Sequence, residues 1–209
     1  MLLTGFEPFA GDATNPSGDA VRRVAERWVG PETLVTEVLP VTFAGAAGRV
    51  RALIAEHSPD VVIAVGLAGN RAEVTPERVA INLTDARIPD NAGAQPLDEP
   101  SVSGAPAAYF ATLPVKGIAA AIADAGVPAS VSHSAGTFVC NHVMFAALDE
   151  ASRRDGLRAG FVHVPWAAET APAGVPTLPL GDIVRAVEIA VRTTLEVRAD
   201  PPLTGGTLS

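Results

Sequence analysis

Chemistry in this chain starts from Cys140, its only cysteine, in the segment Ser132-His133-Ser134-Ala135-Gly136-Thr137-Phe138-Val139-Cys140-Asn141-His142. The segment reads as the end of a strand followed by a helix, with Cys140 where the helix begins. Helix N-termini carry partial positive charge and free N–H groups. Both favour a thiolate, the reactive form of cysteine, and the same N–H groups can donate to an oxyanion formed on an attacked carbonyl. Cys140 is therefore a candidate nucleophile. The competing reading is a small buried hydrophobe, the usual fate of a free cysteine.

A cysteine nucleophile needs a base, and the base needs a group to orient it. Of the four histidines, His163 lies near the end of the apolar run Phe161-Val162-His163-Val164-Pro165, where a buried polar residue needs a partner. His142 follows Cys140 within one helical turn. His133 lies at the strand end beside Ser134. His57 closes a helix ahead of Pro59, where a cation suits the helix dipole and a structural role suffices. Carboxylates that could complete the set are Glu77 in Thr75-Pro76-Glu77-Arg78, Asp85 and Asp90 on a long loop, and Glu7 near the N-terminus. One rival nucleophile exists. Ser132-His133-Ser134-Ala135-Gly136 approaches the Gly-x-Ser-x-Gly elbow, with Ser134 central, but Ser132 replaces the first glycine and Gly136-Thr137 interrupts the helix that should follow.

The elements that must position these residues follow from periodicity. Strands are expected over 2–4, 34–39, 61–65, 79–83, 129–132 and 161–164, and helices over 19–29, 43–57, 115–125, 140–153 and 181–198, with Ser17 as cap of the first helix. Residues 5–18 read as a loop rich in Gly, Pro and Asn. Residues 75–78 read as a turn. Residues 85–104 are a long irregular stretch, of a length that is usually functional. Residues 199–209, with two prolines and two glycines, read as a frayed tail. Strands joined by helices imply an α/β fold: one domain over residues 1–198, an α/β/α sandwich around a mostly parallel, partly mixed, twisted sheet. In such sheets the site lies at the carboxyl ends of the strands, here on the loops after Thr4, Val65, Ser132 and Val164.

Composition narrows the functions. The chain has 209 residues, 48% of them hydrophobic and 18% charged, with a formal net charge of −8. An acidic chain without a Lys/Arg cluster repels phosphate backbones, so no nucleic-acid partner is expected. No apolar run suits a membrane span or a signal peptide, and a lone cysteine suits a reducing compartment, so a cytoplasmic protein without membrane association is expected. One cysteine cannot build a thiolate zinc site and the histidines form no tight pair, so neither a metal nor a cofactor is expected.

Five blocks together resemble the cysteine-type pyroglutamyl peptidase (pyrrolidone-carboxylate peptidase) family: Leu2-Leu3-Thr4-Gly5-Phe6-Glu7-Pro8-Phe9 with Asn15-Pro16-Ser17; Gly66-Leu67-Ala68-Gly69-Asn70-Arg71 through Glu77-Arg78-Val79-Ala80-Ile81-Asn82; Asp85-Ala86-Arg87-Ile88-Pro89-Asp90-Asn91; Ala135 to His142; and Gly160 to Pro165. They span residues 1–165 in order. The resemblance implies a Glu–His–Cys triad that maps to Glu77, His163 and Cys140. It implies hydrolysis of an N-terminal pyroglutamyl residue from peptides through a thioester, with Arg87 near the oxyanion. It also implies a lactam pocket of Phe6, Phe9, Thr42, Ile88, Phe138, Val139 and Met144, and it makes a homotetramer one expectation for assembly. An uncharged lactam without a free amine does want an apolar slot with a few backbone partners. Leu67 stands where many members carry glutamine, His133 where asparagine is more usual, and Ala10 where glycine is. A serine hydrolase built on Ser134 and a non-enzymatic relative that binds small acyl or lactam compounds are the alternatives.

Overall fold

In the computed structural model, which describes residues 1–206, the chain runs β1 (Leu2–Phe6), α1 (Pro16–Arg27), β2 (Val35–Leu39), α2 (Phe43–His57), β3 (Val61–Leu67), β4 (Thr75–Pro76), β5 (Val79–Ile81), β6 (Ala108–Phe110), α3 (Val115–Asp124), α4 (Val139–Ala151), β7 (Arg158–Val164), β8 (Trp166–Ala167), β9 (Thr177–Leu178) and α5 (Leu180–Glu196). The main sheet has the order β2-β1-β3-β7-β4, parallel except for β4, with two small two-stranded sheets, β5–β6 and β8–β9. This is the expected α/β architecture with a mixed sheet.

The period of two along each strand divides the core into two layers. Leu3, Val61, Ile63, Val65, Val162 and Val164 face α1, α3 and α5. Leu2, Val62, Ala64, Ala159 and Phe161 face α2 and α4. Strands buried on both faces read as continuous apolar runs, and β3 is one. The side facing α2 and α4 carries the site.

Several elements depart from expectation for identifiable reasons. The first helix starts three residues early, at Pro16, because Asn15 is the cap and accepts from the Ser17 N–H at 3.1 Å. Ser17 is not the cap. Its hydroxyl donates to Asn15 Oδ1 and accepts from the Phe6 N–H, which fastens α1 to the end of β1. The two elements touch closely there: a β carbon on Gly5 would lie 2.6 Å from the Ser17 carbonyl oxygen. The expected turn at 75–78 is instead a strand, β4, antiparallel to β7. Residues 129–132 form no regular strand and make only the bridges Val74↔Ala129 and Glu77↔Ser132; Pro76 and Pro128 have no N–H to extend the ladder. The strand expected over 79–83 ends at Ile81 and pairs with β6, an element absent from the periodicity. In the tail, Asp200 accepts from the N–H groups of Lys116 and Gly117 and so caps α3; residues 207–209 of that tail lie outside the described residues.

Candidate active site

Gly66, near the end of β3, is the register partner of His163 on β7, and Thr75 of β4 is the partner of His163 on its other side. Residues paired across a ladder point to the same face, so His163 and the bare face of Gly66 stand side by side under α4. The sulfur of Cys140 fills the space over Gly66: a β carbon on that glycine would lie 2.9 Å from Cys140 Sγ and 2.6 Å from the Phe161 ring. The glycine is thus required by close approach, not by an unusual backbone angle.

Glu77 lies two residues beyond Thr75, on the same face of the chain. Its N–H donates to the Phe161 carbonyl at 2.9 Å. Its carboxylate is fully buried, and Oε1 lies 2.7 Å from His163 Nδ1. A carboxylate there selects the tautomer with the proton on Nδ1 and leaves Nε2 free to accept one. Oε1 also accepts from Arg71 Nη1 at 2.6 Å, while Oε2 has no hydrogen-bond partner among the described residues. Arg71 further donates to Thr75 Oγ1 and to the Ser134 carbonyl.

The electrostatics follow from this packing. Burial pushes the Glu77 carboxyl up. The hydrogen bond and charge of His163, the Ser132 hydroxyl and the Arg71 cation outweigh it and hold the group below the usual carboxylate value. Burial pushes the His163 imidazole down; Glu77 pulls it back up and Arg71 pushes it down again, for a net lowering. The thiol behaves otherwise than its position at a helix start suggests. Burial and the negative charge of Glu77 push Cys140 up to about 12, against the smaller opposing effects of Arg71 and its own backbone N–H. At neutral pH the resting site therefore holds a thiol beside a neutral imidazole.

Cys140 is the second residue of α4, whose cap, Phe138, contributes no side-chain hydrogen bond. The N-terminal N–H groups are thus left to whatever binds in front of them. What lies in front is a cavity of about 100 Å³ lined by Phe6, Phe9, Val41, Leu67, Phe138, Val139 and Cys140, with Asp12, Thr14 and Asn15 supplying its polar groups. Phe9 and Phe43 both pack on Phe138, with centroids 5.3 and 5.1 Å apart. The long loop is fastened over this wall. Asp90 accepts from the N–H groups of Phe43, Ala92 and Ala94, and Asn91 donates to the Pro8 carbonyl and to Glu7.

The structure thus gathers Glu77, Cys140 and His163, and it lines one cavity with Phe6, Phe9, Phe138 and Val139. Three residues expected in the pocket do not line it. The Thr42 hydroxyl caps α2 by accepting from Gly45 N–H. Met144, one turn further along α4 than Cys140, is fully buried in the core. Ile88 is 48% exposed on the long loop. Arg87, beside it, is exposed and makes no ion pair among the described residues. The competing carboxylates are elsewhere: Asp90 and Glu7 hold loop backbone, and the Asp85 backbone pairs with Thr137. Ser134 is exposed; its hydroxyl accepts from Gly136 N–H, and two residues separate Gly136 from Val139, where the helix starts. His133 lines an outer cleft with Arg71 and Glu73. Among the described residues no group of His, Cys, Asp and Glu could hold a metal ion, and no helix is long and apolar enough to cross a membrane. Nothing in the sequence marks Arg71 for a role; an arginine six residues before a glutamate carries no periodic signal.

Comparison with known proteins agrees in sequence and in shape. A family model described as pyroglutamyl peptidase matches residues 1–197. The pyrrolidone-carboxylate peptidase of Erwinia tasmaniensis is 50% identical over 208 residues, covering 99% of this chain and 97% of that one. The enzyme of the same name from Clavibacter michiganensis is 49% identical over 209 residues, covering 100% and 98%. Among solved structures, pyroglutamyl peptidase I of Bacillus amyloliquefaciens superposes with a TM-score of 0.91 at 46% identity, over 96% of this chain and 98% of that one. Pyrrolidone carboxyl peptidase of Thermococcus litoralis superposes with a TM-score of 0.89 at 40% identity, over 93% and 92%. With its sheet, its gathered cysteine, histidine and glutamate, and these matches over its length, the chain belongs to the pyroglutamyl peptidase family.

Proposed function

We propose that this protein hydrolyses the bond after an N-terminal pyroglutamyl residue, with Cys140 as nucleophile, His163 as base and Glu77 as the group that orients it. The single observation that carries the reading is the 2.7 Å contact of buried Glu77 with His163 Nδ1 on the face where the Cys140 sulfur sits over Gly66. Its context is an apolar cavity of about 100 Å³ opening on that sulfur.

The steps follow from the charge states. Cys140 rests as a thiol, so His163 Nε2 takes its proton as the sulfur attacks the pyroglutamyl carbonyl carbon. Glu77 stabilises the imidazolium that forms. The carbonyl oxygen becomes an oxyanion in front of the open N-terminus of α4, whose N–H groups can donate to it. The intermediate collapses: the C–N bond breaks, His163 gives its proton to the leaving amine, and a thioester remains on Cys140. Water, deprotonated by His163, attacks the thioester and releases pyroglutamate with the thiol restored. No cofactor enters these steps. The largely apolar lining by Phe6, Phe9, Val41, Leu67 and Phe138 suits an uncharged lactam ring, which supports pyroglutamyl peptides as the substrate. The need for a reduced thiol supports a cytoplasmic setting.

The test is turnover of a fluorogenic pyroglutamyl amide by purified protein, with the matching free-amine glutamyl amide as control. Wild type should cleave the first only. Cys140→Ser should lose activity by at least about 10³-fold while keeping its circular dichroism spectrum. Full activity in Cys140→Ser, or equal turnover of both substrates, would overturn the proposal.

A further inference from the structure

We propose that Arg71 is a positioning residue whose charge keeps His163 in its neutral, proton-accepting form by balancing the buried carboxylate of Glu77. The inference rests on the assignment of His163 as base given above.

The charge of a buried carboxylate has to be balanced by its neighbours. Glu77 is fully buried, and both of its hydrogen bonds fall on one oxygen, Oε1: His163 Nδ1 at 2.7 Å and Arg71 Nη1 at 2.6 Å. Orienting the ring needs only the first. An isolated buried carboxylate would be an uncompensated charge, and the cheapest relief within reach would be a proton on His163. A protonated imidazole cannot accept the proton of Cys140. Arginine supplies a cation that cannot be deprotonated, so with Arg71 in place the group is neutral overall while His163 carries no charge of its own. The charged and titratable groups facing His163 are Arg71 from the β3–β4 connection, Glu77 after β4 and Cys140 on α4; Glu73 and His133 line the outer cleft behind Arg71. Arg71 opposes Glu77 in its effect on both His163 and Cys140, as this reading requires.

The guanidinium is also held in place. It donates to Thr75 Oγ1 and, through Nη2, to the Ser134 carbonyl at 3.2 Å, and its backbone N–H donates to Ala68. Thr75 is the register partner of His163, so one guanidinium ties together the strand beside the base, the buried acid and the segment leading to Cys140.

The test compares wild type, Arg71→Gln and Arg71→Lys by two readouts: the pH profile of kcat/KM on a pyroglutamyl amide, and the titration of His163 by NMR, its signal identified by its loss in His163→Gln. In Arg71→Gln the His163 titration and the acid limb should move to higher pH, with kcat/KM roughly tenfold below wild type on the acid side and the deficit closing at alkaline pH. Arg71→Lys keeps the charge but not the fork, and should return the limb to the wild-type position. A uniform loss of activity in Arg71→Gln with limb and titration unmoved would overturn the proposal, because that is what lost geometry alone would do. If Arg71→Gln does not fold, Arg71→Lys decides, and a displaced limb there overturns it. Absence of turnover in the wild type would instead refute the substrate reading, while the NMR titration still tests the role of Arg71.

Discussion

The sulfur of Cys140 rests over Gly66 so closely that a β carbon there would come within 2.9 Å of it. The same β carbon would meet the ring of Phe161, which is fully packed beneath His163 with ring centroids 4.7 Å apart. Gly66→Ala should therefore displace the thiol or the aromatic ring that supports the imidazole. The expected result is a loss of about 100-fold or more in kcat/KM, with a stability loss of about 1–3 kcal/mol from overpacking. Kinetics and urea unfolding on the same preparation measure both. Wild-type activity in this variant would show that the sulfur need not occupy that space.

Glu77→Gln keeps the shape of the side chain and removes its charge. The amide can present an N–H to His163 Nδ1 and favour the wrong tautomer, so kcat should fall by about 10³–10⁴-fold, as for the acid of other triads. Arg71 would lose its buried counter-charge, but its guanidinium is 28% exposed, so the cost is about 1–3 kcal/mol, below that of a fully buried pair. A lowered unfolding temperature should accompany the kinetic loss, and an unchanged one would argue against the buried ion pair.

Asn141 is fully buried on α4. Its side chain accepts from the Ile81 N–H at 3.0 Å and donates to the carbonyls of Ile81 and Leu83 at 2.8 and 3.1 Å. It thereby locks the helix carrying Cys140 to the segment that follows Glu77. Asn141→Ala should leave these backbone groups without partners and cost about 2–4 kcal/mol, since each unsatisfied buried group costs about 1–3 kcal/mol. Chemical denaturation measures the loss; a change under about 0.5 kcal/mol, the scale of an ordinary surface substitution, would refute the lock.

His142 predicts a pH effect on stability. Burial, with Arg51 adding to it and the Phe43 backbone opposing, lowers this imidazole to about 4, and its Nδ1 is buried without a side-chain or backbone partner among the described residues. The folded state binds the proton less readily than the unfolded chain does. Stability from this group is thus fully present above the ordinary histidine value of about 6.5 and is lost as pH falls towards about 4. The loss is on the order of 3 kcal/mol across that window. His163, also lowered, acts in the same direction. Urea midpoints between pH 7 and 4 should fall less steeply for His142→Leu than for wild type, and parallel slopes would refute the assignment.

How far the chain could be read in advance varied with the physics involved. The helix over 43–57 appears with those bounds, because period-3.6 burial and a threonine cap are local properties. The apolar run at 61–65 appears as β3, two residues longer. The gathering of Cys140, Glu77 and His163 was legible through family resemblance, since no local rule brings residues 63 and 86 positions away in sequence together. Thr75-Pro76 reads as a turn in sequence because proline and charge mark turns; it is a strand through pairing with β7 that no neighbour in sequence announces. The helix start alone predicts an acidified thiol. A helix terminus is a local feature, whereas the burial and the Glu77 charge that outweigh it are products of the whole fold. Thr42 and Met144 sit near the pocket in sequence terms but face a cap and the core.

The strand order β2-β1-β3-β7-β4 has a consequence for the life of the chain. β7, which carries His163, is inserted between two strands made roughly a hundred residues earlier, so β3 and β4 have no contact through the sheet until it arrives. If the proposed triad holds, a ribosome-bound chain that has not yet emerged past residue 164 already contains the cysteine and the glutamate, yet lacks the histidine that would activate the one and be oriented by the other. Under that assignment peptidase activity arises only with the last main-sheet strand, and the growing polypeptide is spared a working thiol until its sheet is closed.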